Sequence, residues 1–197
     1  MFTEDYILRM INQAMAVLLY MLRLKQAGQY QQALEASDTA LETLLGLRAS
    51  LLKQLDDEKM LGMLTTGEEL DVQRTALLAR IFKEEGEILA EEGRPDEARQ
   101  AWQRALRFYL EAVLNDPSLL NAEQIAIIAG LRGKLEGASL PLATRMATLD
   151  YLEALHLQPP QRFAAAGVQA EALEQEMREL QAEIEQETGW EGGEAPG

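Results

Sequence analysis

Apolar residues recur at intervals of three and four along nearly the whole chain. Between Pro95 and Asp116, for example, they fall at Ala98, Ala101, Trp102 and Ala105. This spacing places them on one face of a helix, whereas a half-buried strand would alternate apolar and polar residues. We find no alternating run bounded by turn residues. The pattern therefore predicts an all-α fold of about seven helices.

Glycine and proline punctuate this pattern and set the predicted helix ends. Gly28 and Gly93 follow apolar stripes, and a glycine there suits the left-handed cap that ends many helices. The second helix is predicted to continue past Leu45, with helical patterning to about Met60, and residues 61–67 are predicted as a break. The predicted helices cover about 3–27, 30–60, 68–92, 95–116, 122–135, 142–156 and 162–187.

Two parts of the chain repeat each other. Gly28, Ala33, Ala40 and Leu41 recur at the same offsets as Gly93, Ala98, Ala105 and Leu106. Glycine permits a sharp reversal, and small alanines let two helix backbones approach closely. The repeat predicts two antiparallel helical hairpins.

The second copy resembles the tetratricopeptide repeat. Met21 and Ser37 take the small and aromatic positions of the first copy, which fits less well. The two copies stand nearly twice as far apart as the usual period of about 34 residues, so the hairpins need longer helices or an insertion. The residues that carry the resemblance are Phe82, Gly86, Leu89, Gly93, Ala98, Trp102 and Ala105.

The N-terminal run Asp5-Tyr6-Ile7-Leu8-Arg9-Met10-Ile11 is similar to the signature of a bacterial family of unknown function with tetratricopeptide-like helices. The resemblance covers the first helix and both hairpins and weakens after about residue 120. It implies stacked antiparallel hairpins in an α-solenoid-like arrangement, a bacterial origin and a cytoplasmic location, and it carries over no catalytic residue. Residues 1–120 are expected to form two long hairpins, residues 121–188 a degenerate third hairpin, and residues 189–197 a disordered tail.

Composition narrows the classes of partner. The 197 residues include 18 Lys and Arg against 33 Asp and Glu, which gives a net charge of −15. Such a chain repels phosphate backbones and anionic lipid surfaces, so we expect neither a nucleic-acid partner nor a membrane. The apolar stretch from Ala14 to Leu22 is about half of the ~20 residues that a membrane span requires. The chain has no cysteine, which excludes disulfides and thiolate chemistry.

The sequence offers little catalytic chemistry. It contains no glycine-rich phosphate loop, no serine-centred elbow and no calcium loop. His156 is the only histidine, and although Glu153 gives it the spacing used in di-iron bundles, those sites need two such motifs. We therefore expect a protein without enzyme activity, metal or cofactor. Glu85 lies on the apolar stripe of its helix, and we expect it to pair with an arginine of the fourth helix, such as Arg104.

Basic residues on the third and fourth predicted helices are candidates for binding an acidic peptide. Arg80, Lys83, Arg104 and Arg107 supply the charge, and Glu87 stands where carboxylate-binding tetratricopeptide proteins carry asparagine. The alternative is that these side chains form local salt bridges. The partner would be a protein or a peptide that the sequence does not identify.

The last predicted helix carries a heptad seam. Leu173, Met177, Leu180 and Ile184 recur at alternating intervals of four and three, as in a coiled coil. This seam either packs on the rest of the chain or pairs with another chain, including a homodimer. The sequence thus favours a protein-interaction module; the alternatives are a self-associating structural protein and, less favoured, a ligand-binding or enzymatic bundle.

Overall fold

Helices form about four-fifths of the chain that the computed structural model describes, which is residues 2–159 and 168–189. The predicted all-α fold is confirmed. In chain order the elements are α1 (Phe2–Gln26), α2 (Tyr30–Leu45), α3 (Ala49–Leu52), α4 (Asp57–Leu64), β1 (Thr65–Thr66), β2 (Glu69–Leu70), α5 (Val72–Glu91), α6 (Pro95–Asn115), a 3₁₀ turn (Pro117–Leu119), α7 (Ala122–Lys134), α8 (Leu142–His156) and α9 (Ala170–Thr188).

Two antiparallel hairpins, α1/α2 and α5/α6, turn at the predicted glycines. Gly28 and Gly93 have φ angles of +70° and +76°, a region that L side chains rarely adopt. In both turns the amide that follows the glycine donates to a carbonyl five residues earlier. Gln29 donates to Leu24 and Arg94 to Leu89, each at 2.9 Å. The same cap therefore ends the first helix of each hairpin.

The α5/α6 hairpin closes at a single glycine. A Cβ on Gly86 would lie 2.4 Å from both Cδ1 and Nε1 of Trp102, closer than side-chain atoms approach. In the α1/α2 hairpin the matching positions are Met21 and Ser37, and both are fully buried. The large residue thus stands on the first helix of one hairpin and on the second helix of the other. Either arrangement fills the same space between two helices.

Residues 46–71 separate the hairpins, and here several expectations were wrong, including the break at 61–67, since α4 continues to Leu64. The second helix ends at Leu45 because Gly46 adopts a left-handed cap with φ +72°. A short β-ladder then pairs Thr65 with Leu70 around Gly67, although we expected no strand. The third long helix begins at Val72 rather than near residue 68. Asp71 ends the ladder and caps α5 by accepting a hydrogen bond from the Arg74 amide at 3.0 Å.

The C-terminal helices α8 and α9 run antiparallel, since Arg145 near the start of α8 pairs with Glu187 near the end of α9. The predicted bounds of α7 and α8 agree with the structure to within a residue. The predicted start of the last helix near Arg162 and the predicted tail from residue 190 onward lie outside the described residues. Ala170 is the first residue of α9.

We expect Gly86→Ala to destabilise the protein by about 1–3 kcal/mol, because the added methyl group forces Trp102 away from α5. Chemical denaturation monitored by circular dichroism measures this change. In a Trp102→Ala background the same substitution should have a much smaller effect.

Gly62→Ala in α4 is the matched control. A Cβ there meets nothing within 4 Å, so the change should be neutral or stabilising by up to about 1 kcal/mol. Equal destabilisation at both glycines would contradict the packing argument.

Candidate functional site

Arg104 is engaged inside the protein. Its Nη2 donates to the Leu55 carbonyl at 2.7 Å, and its Nε lies 3.5 Å from Asp57. The guanidinium carbon stands 5.6 Å from the centre of the Phe82 ring. Burial raises the pKa of Asp57, while the charge of Arg104 acts in the opposite direction. This arginine ties α6 to the segment between the hairpins.

Arg107 is also engaged and is only 8% exposed. It donates to the Ala143 carbonyl at 2.6 Å and to Glu58 at 2.9 Å, and it pairs with Glu111 at 3.0 Å. It therefore joins α6 to α4 and to α8. Arg104 and Arg107 therefore both bind groups of the protein itself and connect neighbouring elements of the fold.

The three predicted binding residues of α5 face another direction. Lys83 pairs with Glu84 at 2.9 Å, and Glu87 pairs with Lys134 of α7 at 3.2 Å. Arg80 is exposed and has no ion pair or hydrogen bond with any described residue. The five predicted residues thus do not form one site: α5 presents three toward α7, and α6 holds two inside.

A groove of about 730 Å³ opens beside Arg80, between α1, the first half of α5, the 3₁₀ turn and the start of α7. We call it the Arg80 groove. Its apolar walls come from both hairpins. The apolar lining residues are Ile11, Met15, Leu70, Val72, Ala76, Leu77 and Leu119, and the polar ones are Asp71, Gln73, Arg80, Tyr109, Asp116 and Gln124.

Tyr109 brings a hydroxyl group to the wall of this groove. The side chain is 3% exposed, and no described residue hydrogen-bonds to it. Burial raises the pKa of Tyr109, and the positive charge of Arg80 acts against that shift. The hydroxyl oxygen itself is not sealed from solvent, so it is open to an acceptor that enters the groove.

The acidic residues of the groove differ in their engagement. Asp71 caps α5, and Asp116 accepts a hydrogen bond from the Ser118 amide at 3.0 Å. Glu123, which neighbours the groove at the start of α7, has no hydrogen bond or ion pair within the described ranges. Arg80 and Glu123 are therefore the two charged side chains here that the protein leaves unpaired.

A second hollow, of about 360 Å³, continues along the furrow between α5 and α7. It is lined by Lys83, one turn beyond Arg80 on α5, and by Glu123, Ile127 and Lys134 on α7. The Lys134 ammonium lies 4.6 Å from the centre of the Trp102 ring, a cation–π distance. The Arg80 groove and this hollow follow one another along the same side of α5, with different lining residues.

The expected pairing of Glu85 with Arg104 was wrong. Glu85 is 7% exposed and accepts a hydrogen bond from Ser37 at 2.7 Å, and Lys53 lies 3.3 Å from its other carboxylate oxygen. Lys53 also pairs with Asp38 at 2.6 Å. Burial lowers the pKa of Lys53, but the two carboxylates outweigh it and the net shift is upward. The cluster joins α2 to α5.

A second ion pair between the hairpins involves Glu84. Its carboxylate lies 3.1 Å from Lys25 of α1 and 2.9 Å from Lys83. Burial raises the pKa of Glu84, but the two ammonium groups outweigh it and hold that pKa below its ordinary value. The group therefore stabilises the fold above its ordinary pKa, and that contribution is lost as the pH falls through the lowered one.

The heptad seam lies on α9, which packs against α8 of the same chain. Leu173 and Ile184 are buried, and Met177 and Leu180 are partly buried. Arg132 of α7 pairs with Glu176 on this helix. Most of the seam is therefore covered within the chain.

Helix α1 leaves much of its apolar surface open. Tyr6, Leu8, Leu19 and Tyr20 are each about half exposed or more. Residues Asp5–Gln26 reach a mean hydropathy of 1.3, so by length and composition this helix could cross a membrane. The run from Ala14 to Leu22 is too short to indicate this by itself, because polar residues separate it from the other apolar residues of the helix.

His156 is exposed at the end of α8. Within the ranges that the structure describes, no group of three histidine or acidic side chains is placed to hold a metal ion. The lone Glu153–His156 spacing brings no further ligand with it.

Sequence reasoning missed Tyr109 and Glu123. Tyr109 sits on the apolar stripe of α6, so its spacing indicates a core residue and says nothing about its hydroxyl. The distinguishing signal is structural: the hydroxyl meets an open groove instead of a protein acceptor. Glu123 resembles any acidic residue in the first turn of a helix.

Comparison of the chain with protein-family models, with curated proteins and with solved structures found no match.

We expect Lys53→Met to destabilise the protein by about 1–2 kcal/mol, because it leaves the buried Glu85 carboxylate with Ser37 as its remaining partner. Thermal and urea unfolding measure this change.

Lys59→Met is the control, since Lys59 pairs with Asp56 on the surface, where such pairs contribute little. An effect at Lys53 no larger than that at Lys59 would show that the Glu85 cluster does not brace the hairpins.

Proposed function

We propose that this chain is a non-enzymatic protein-interaction module that binds a polypeptide segment in the Arg80 groove. The observation that carries the proposal is an open groove with apolar walls and a cation, Arg80, that no described side chain neutralises. Apolar walls with a few convergent polar groups are typical of binding sites.

The contrast between α5 and α6 supports the proposal. Arg104 and Arg107 are engaged by carbonyls and carboxylates of the protein itself. Arg80 lies on the neighbouring helix in the same acidic chain and has no such partner. Unpaired charge at an apolar groove suits recognition better than stability.

The arrangement also suits a tetratricopeptide-like module, which is part of the proposal. Helices α1 and α5 are the first helices of their hairpins, and both line the groove. Stacked hairpins create concave binding surfaces in repeat proteins. On this interpretation residues 46–71 are an insertion between two repeat units. A cytoplasmic location and a bacterial source stay predictions.

Ala76→Arg tests the proposal, because it places a long side chain in the groove from the wall of α5. In affinity capture from native cells, followed by mass spectrometry, we expect a protein that binds the unmodified chain to be lost by this variant.

The control is Ala182→Arg on the exposed face of α9. This variant should retain the captured protein. Equal capture by Ala76→Arg, with both variants folded by circular dichroism, would contradict the proposed site.

A second candidate function is self-association, and α1 favours it. The open apolar side chains of α1 lie on both flanks of the helix, with Leu8 and Leu19 three turns apart on one side. Asp5 stands in its first turn and Arg23 in its last turn, although Arg9 also lies in the first half of the helix. Two copies that meet antiparallel would place Asp5 of each copy near Arg23 of the other.

Sedimentation equilibrium over a wide concentration range tests this candidate. We expect a dimer that the double variant Leu8→Arg/Leu19→Arg converts to a monomer, because two charges would enter the apolar contact.

Leu157→Arg, at the more exposed leucine after α8, should leave the dimer intact. If the chain is still monomeric at about 100 μM, any dimer is too weak to be a stable assembly, and self-association is ruled out as the function.

A further inference from the structure

We propose that the Arg80 groove recognises a carboxylate side chain, aspartate or glutamate, held between apolar side chains of a partner polypeptide, with Arg80 and Tyr109 as the hydrogen-bond donors. This inference rests on the proposed function and adds the chemistry of the ligand to it.

Tyr109 supplies the first observation. Its side chain is 97% removed from solvent, since 3% is exposed, and its hydroxyl has no hydrogen-bond partner in the described part of the chain. It lies in the wall of an open groove and not in a sealed core. Since the hydroxyl oxygen is not sealed from solvent, an acceptor from a ligand in the groove would take the place of water there.

Arg80 supplies the second observation. It lines the same groove, and its five N–H donors find no acceptor among the described residues. A guanidinium group binds a carboxylate through two parallel hydrogen bonds, which an amide or hydroxyl group cannot match. Arg80 and Tyr109 line the same groove, so both donors are available to a ligand group there.

None of the described acidic residues near the groove pairs with Arg80. Asp71 and Asp116 accept hydrogen bonds from backbone amides and are fixed there. Glu84, the other acid near Tyr109, is held by Lys25 and Lys83. Glu123 is unpaired and opposes an incoming carboxylate, so its removal should strengthen binding.

The arrangement of the groove and the hollow favours a polypeptide over a compact acid. The two hollows follow α5 from Gln73 to Lys83, a distance of about 15 Å at 1.5 Å per residue. That length accommodates about ten residues of a helix or about five of an extended segment. Apolar residues of α5 lie before Arg80, and apolar residues of α7 line the hollow beyond it, which favours apolar partner residues on both sides of the carboxylate. These residues are Val72, Ala76 and Leu77 on α5 and Ala126, Ile127 and Leu131 on α7.

The probe is a phage-displayed library of random 12-residue peptides, selected on the full immobilised chain. We expect the selected peptides to share an aspartate or glutamate flanked by leucine, isoleucine, methionine or phenylalanine. Each selected sequence is then synthesised with the acid and with its amide counterpart, and binding to the variants is measured by fluorescence anisotropy.

Arg80→Gln should weaken binding of the acidic peptide about tenfold, the effect of losing a charged hydrogen-bonding pair, and should abolish the preference for acid over amide. Tyr109→Phe should weaken it about threefold, and Glu123→Gln should strengthen it. Arg48→Gln, at an exposed arginine outside the groove, should change nothing.

The outcomes separate the two proposals. Two outcomes would overturn this inference and leave the groove as an interaction site. The selected peptides could lose binding to Ala76→Arg yet share no acidic residue, or they could bind Arg80→Gln as tightly as the unmodified chain. A library that yields no peptide sensitive to Ala76→Arg would overturn both. Because Arg80 is exposed, Arg80→Gln should unfold at the same temperature as the unmodified chain. Thermal unfolding of the variant checks that a loss of peptide binding is not caused by a folding defect.

Discussion

The close approach of paired antiparallel helices is the constraint on which the rest of the structure depends. At Gly86 the absence of a Cβ lets the Trp102 ring lie against the α5 backbone. The first hairpin solves the same problem in reverse, with Met21 on its first helix and Ser37 on its second. That reversal has a further effect, because the small Ser37 leaves room for Glu85 of α5. One packing rule thus shapes each hairpin and also the contact between them.

The helix ends at Gly28 and Gly93 could be predicted from the sequence, whereas the similar end at Gly46 was missed because helical apolar spacing continues beyond it. Gly28 and Gly93 indicate helix ends because few other residues adopt their left-handed backbone conformation. In residues 46–71 the apolar spacing continues in a helical pattern although the chain breaks at Gly46. Short elements bury their apolar residues against neighbouring hairpins, so their periodicity does not reveal where each one stops.

The candidate site was harder to predict for a related reason. Arg80 and Arg107 are equivalent in the sequence, since each is a basic residue on an apolar helix. Only packing separates them: Arg107 meets a carbonyl of α8 and carboxylates of α4 and α6, whereas Arg80 meets an opening. The role suggested for Tyr109 likewise depends on the groove beside it, which the local sequence pattern does not indicate.

The internal arginines carry a consequence for kinetics. Arg104 and Arg107 fasten residues 46–71 to α6, while Lys25 and Lys53 fasten α1 and the intervening segment to α5. With both hairpins locked at several points, the walls of the groove keep their spacing whether or not anything is bound. In the binding that we propose, the partner would dock onto a ready-made shape and lose mainly its own freedom, so encounter frequency rather than rearrangement of this protein would govern how fast the complex forms.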